Sequence, residues 1–84
     1  MNELEIFKKK LIYRSNYRGS KEMDLLLSKF VEKHINNFNE NELSELDKFL
    51  DFEDVVILNY YLRDIVENNI DKNKISKIFK NFFV

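Results

Sequence analysis

The apolar residues of this chain recur at a helical period almost from end to end, and no proline interrupts them. The clearest run is Met23, Leu26, Leu27, Phe30, Val31 and His34, spaced i, i+3, i+4, i+7, i+8 and i+11. That spacing draws one stripe down a cylinder and predicts an amphipathic helix over about 20–36. Ser20 stands where an N-cap belongs. Glu22 and Asp24 fall in the first turn, where the helix dipole favours acids.

Four further segments carry the same period. In 2–17, Leu4, Phe7 and Leu11 share a face, with Lys8, Lys9 and Lys10 mostly on the wet side. Gly19, the single glycine, follows this segment and is expected to end the helix in a left-handed turn. In 40–51, Asn39 and Glu42 read as a capping box ahead of Leu43, Leu46, Phe49 and Leu50. The segment 53–67 is apolar almost all round through Val55 to Leu58, Tyr60 to Leu62, Ile65 and Val66, as in the central helix of a bundle. In 72–82, Asp71 is placed to cap a stripe of Ile75, Ile78, Phe79, Phe82 and Phe83. Short loops between such helices imply an all-α fold, a small antiparallel bundle of four to five helices forming a single domain over 1–84.

Composition narrows function by exclusion. With no Cys and one His, the chain has no thiol nucleophile, no disulfide framework and no multi-histidine metal site. Fourteen basic residues against fifteen acidic ones leave a net charge of -1, so no general field draws it to nucleic acid or anionic lipid. No apolar run approaches the roughly 18 residues of a membrane span. Met1 to Phe7 is acidic and apolar rather than basic, unlike a secretory signal, which favours the bacterial cytoplasm, or the mitochondrial matrix for a eukaryotic source.

One stretch says more than periodicity does. Arg18-Gly19-Ser20-Lys21-Glu22-Met23-Asp24-Leu25-Leu26-Leu27 resembles the R-G-x-x-E-x-D-L-L-L signature of the SdhE, or succinate dehydrogenase assembly factor 2, family. Arg18, Gly19, Glu22 and Asp24 match, and Glu42, Leu43, Leu46, Leu50, Asp54 and Tyr60 follow in the family's order. There are departures: Tyr60 replaces a common Trp, and Val55 and Val56 stand where a second acid is frequent. Tyr17 replaces a frequent second Arg, and Arg63 to Asn69 lack the usual Gly and Pro. The resemblance covers about 14–62.

The resemblance implies an assembly factor rather than an enzyme. Such a factor docks on the flavoprotein subunit of succinate dehydrogenase, or of fumarate reductase, while FAD attaches covalently to that subunit. It holds no cofactor stably, inserts in no membrane, binds no nucleic acid and is monomeric when free. The partner-binding candidates are Arg18, Gly19, Glu22, Asp24, Arg14 and Tyr17.

Each of these residues also has a plainer reading. Gly19 serves equally as a helix terminator or as bare backbone against a partner. Arg18 is either a cation at a helix C-terminus or a fork projecting outward toward a carboxylate or phosphate. Glu22 is good first-turn electrostatics or half of a two-signed patch with Arg18. Asp24 orients Arg18 or Arg14, or is solvated. Tyr13 and Tyr17 suit a flavin ring, a partner pocket or ordinary packing. His34 continues an apolar stripe and reads as a partly buried histidine. Two other function classes stay open, a small nucleic-acid-binding bundle and a generic helical interaction module.

Overall fold

The computed structural model describes residues 2–83. Among them are five α-helices and one 3-10 turn: α1 (Glu3–Asn16), α2 (Lys21–His34), α3 (Glu40–Phe49), α4 (Asp54–Arg63), the turn Ile70–Lys72, and α5 (Lys74–Lys80). The all-α expectation of four to five helices therefore holds.

Local chemistry sets most of the ends. Asn2 Oδ1 accepts the Glu5 amide at 2.8 Å and starts α1. Ser20 Oγ accepts the Met23 amide at 3.2 Å and starts α2. Asn39 and Glu42 exchange both bonds of a capping box, at 2.8 and 2.9 Å.

Two helix ends are set by residues that the sequence reading did not name. α4 stops at Arg63, four residues short of 67, because Asp64 adopts a left-handed conformation at φ 58°. Lys80 fixes that end from α5: its ammonium donates to the Tyr60 carbonyl at 2.8 Å and pairs with Asp64. α5 is capped by Asn73 rather than Asp71, which lies in the 3-10 turn. Asn73 Oδ1 accepts the Ile75 and Ser76 amides at 2.8 and 3.1 Å, and its Nδ2 donates to the Glu45 carbonyl of α3 at 2.9 Å.

The core gathers on α2 rather than on α4. Met23, Leu26, Leu27, Phe30 and Val31 are all buried. Phe30 meets Phe79 edge-on at 5.1 Å, Phe82 at 5.3 Å and Phe49 at 6.5 Å, joining α2, α3, α5 and the segment after α5 in one aromatic cluster. α4 buries Val56, Ile57 and Tyr60 but leaves Val55 and Leu62 exposed, so it lies at the flank. Ile65 and Val66, expected in the fourth helix, lie beyond it and are exposed. Phe79 and Phe82 are core, whereas Phe83 is 83% exposed.

Candidate functional site

The six sequence candidates cluster where α1 turns into α2. Arg14, Arg18, Gly19 and Asp24 bond within the molecule, whereas Glu22 and Tyr17 face out.

Arg18 departs furthest from expectation. Its guanidinium does not project from the corner; the side chain is only 11% exposed. Nε pairs with Asp54 Oδ1 at 2.7 Å, Nη1 donates to the Leu50 carbonyl at 2.9 Å, and Nη2 donates to the Phe52 carbonyl at 2.8 Å. The two carbonyls lie just past the C-terminus of α3, and Asp54 begins α4. A planar fork with several fixed donors suits this three-way grip, which a point-charge ammonium does not reproduce. Arg18 thus ties the α1–α2 corner to the α3–α4 turn.

Asp24 accepts the backbone amide of Arg18 at 2.5 Å rather than orienting an arginine side chain. Arg14 also faces inward. Its Nη1 donates to the Asp47 carbonyl at 3.0 Å and pairs with the Asp47 carboxylate, while Nη2 pairs with Asp51 at 2.5 Å. Both acids belong to α3 or its end, so Arg14 links α1 to α3 one turn before Arg18 does the same.

Gly19 is not left-handed: α1 ends at Asn16, and no glycine has positive φ. Its amide donates to Asp54 Oδ2 at 2.6 Å. A Cβ built at Gly19 would lie 3.0 Å from that same oxygen, tighter than ordinary contact. A side chain here would crowd that carboxylate, which would have to shift by a few tenths of an ångström to admit it.

Glu22 is exposed on the first turn of α2 and forms no ion pair or side-chain hydrogen bond among the described residues. Tyr17, 72% exposed, meets Tyr13 with ring centroids 4.8 Å apart. Beside them an open depression of about 450 Å³ runs along α1, lined by Ile6, Lys9, Lys10, Tyr13 and Arg14.

His34 lies away from the corner, partly buried as expected. It stacks on Phe38 at 5.3 Å with planes 7° apart. Burial, followed by the neighbouring Lys33 charge, lowers its pKa below the usual 6.5. Among the described residues no helix is long and apolar enough to cross a membrane, and no group of three or more His, Cys, Asp or Glu is placed to hold a metal ion.

Asp54 was legible as part of a motif order but not as the residue that closes the corner. Its signal was weak: one acid after an acidic turn, 36 residues from the arginine it grips.

A family described as flavinator of succinate dehydrogenase matches residues 9–83. The mitochondrial succinate dehydrogenase assembly factor 2 of Scheffersomyces stipitis is 44% identical over 78 residues, covering 92% of this chain and 52% of its own. That of Debaryomyces hansenii is 37% identical over 78 residues, covering 92% of this chain and 55% of its own. Assembly factor 2-B of Drosophila simulans is 49% identical over 47 residues, covering 56% of this chain and 30% of its own. The chain spans about half the length of the first two relatives, 52% and 55%. No solved structure matches it.

Proposed function

The chain belongs to the family of flavinators of succinate dehydrogenase, and on that footing we propose that it docks on the flavoprotein subunit of that enzyme and promotes covalent attachment of FAD there. The observation that supports this reading is the corner itself. Glu22 stands exposed and unpaired among the described residues, on a helix start that Arg18, Asp24 and Asp54 hold rigid. With the backbone beneath it held, docking this charge costs only the ordering of the Glu22 side chain itself.

The bond-forming chemistry resides in the flavoprotein and its cofactor. This chain supplies binding free energy for one conformation of the flavoprotein and so shifts its population toward the state that accepts FAD. It does its work wherever that enzyme is assembled.

The test is capture of the partner by tagged wild type and by Glu22→Ala, with covalent flavin fluorescence scored on the flavoprotein band of a denaturing gel. The reading expects wild type to retain the flavoprotein, and flavin attachment to drop without the factor or with the variant. Capture of a different protein with unchanged flavin attachment would overturn it.

A further inference from the structure

We propose that Asp54 is a positioning residue for docking: it holds the α1–α2 corner so that Glu22 is presented to the partner, and it, rather than the partner, requires glycine at 19. This rests on the flavoprotein reading above and deepens it.

Three observations converge on one carboxylate. Oδ1 holds Arg18 Nε at 2.7 Å, and Oδ2 takes the Gly19 amide at 2.6 Å. The space at Gly19 is limited by Oδ2 itself, 3.0 Å from where a Cβ would sit. Both oxygens are therefore committed to consecutive residues of the corner. Arg18 carries the same grip onward to the carbonyls of Leu50 and Phe52. Asp24 closes the corner from the other side through the Arg18 amide.

Of the four signature residues, Arg18, Gly19 and Asp24 are thus occupied inside the molecule, and Glu22 alone extends a free carboxylate. Glu22 lies one helical turn beyond Gly19, so any displacement of the Gly19 backbone moves its carboxylate. Asp54 acts on the partner through that displacement.

A double-mutant cycle separates positioning from stability. Affinity for the purified flavoprotein subunit of succinate dehydrogenase, with FAD present, is measured for wild type, Asp54→Asn, Glu22→Gln and the double variant. The temperature is held well below each variant's melting point. An asparagine keeps the shape but offers one acceptor oxygen where two are needed. Asp54→Asn is expected to weaken binding about tenfold in the wild-type background and less than about twofold once Glu22 is gone. The effects of the two substitutions on thermal stability remain additive. In the free protein, hydrogen exchange at the Gly19 amide is expected to speed up in Asp54→Asn, while the amides of Leu27 and Phe30 stay protected.

Equal losses in both backgrounds would leave the flavoprotein reading standing and overturn the positioning role, since a general loss of structure or direct contact by Asp54 is indifferent to Glu22. Failure of wild type to bind would overturn the flavoprotein reading and the docking role of the corner together. If Asp54→Asn does not fold, Gly19→Ala displaces the same carboxylate from the opposite side with the ion pair chemically intact. The same dependence on Glu22 is then required of it.

Discussion

The Gly19 amide donates to Asp54 Oδ2 at 2.6 Å across 35 residues of chain, and that same oxygen would lie only 3.0 Å from the Cβ of any larger residue at 19. Glycine here answers to a neighbour's carboxylate rather than to a left-handed backbone.

Gly19→Ala is therefore expected to destabilise the fold by about 1–2 kcal/mol, since Arg18 pins the carboxylate that would have to move. In an Asp54→Ser background the same substitution becomes neutral, or stabilising by up to about 0.5 kcal/mol, because the crowding is gone and alanine restricts the unfolded chain. Urea midpoints of the four proteins decide this. Equal costs in both backgrounds would place the cause elsewhere.

Arg18→Ala is expected to cost about 3–5 kcal/mol, because it strands a partly buried carboxylate and two carbonyls at once. Arg18→Lys recovers less than half of that, as one ammonium cannot serve three acceptors in different directions. Chemical denaturation of both variants checks the order.

Phe30→Ala is expected to cost about 3–5 kcal/mol and to loosen α5 along with α2, since Phe30 is fully buried and faces Phe79 and Phe82. The near-ultraviolet circular dichroism signal is expected to fall before helicity does.

Asn73→Ala removes the acceptor of the Ile75 and Ser76 amides and the donor to Glu45. A loss of about 1–2 kcal/mol is expected, with faster hydrogen exchange confined first to α5.

The folded pKa of His34 lies below its unfolded value of 6.5. The unfolded chain therefore binds more protons between those two values. Its contribution to stability is present in full above 6.5 and is lost as pH falls from there toward the folded pKa. The melting temperature of wild type is expected to decline on acidification below 6.5 more steeply than that of His34→Gln. Parallel curves would remove His34 as the cause.

Periodicity exposed the helices because burial imposes it: Met23 to Val31 lie in the core as their spacing requires. The caps at Ser20 and Asn39 were legible because they are local, each bonding an amide three residues on. The end of α4 was not, because it depends on Asp64 taking a left-handed conformation that Lys80 fixes from another helix. The corner was half legible. Its residues were found by motif, but the direction of Arg18 depends on carbonyls 32 and 34 positions away, which no local pattern encodes. Hydrophobicity likewise misplaced the centre of the bundle: α4 is more apolar than α2, yet it turns Val55 and Leu62 to solvent.

The grip of Arg18 reaches Leu50, Phe52 and Asp54, 32 to 36 residues downstream. Closing a loop of that length carries an entropic cost that only the completed α3–α4 turn offsets. A nascent chain halted before Asp54, or one whose third helix has come loose, has no ordered corner to offer. Order at the corner is thereby tied to completion of the fold: its geometry reports that the first and second halves of the chain have both come together.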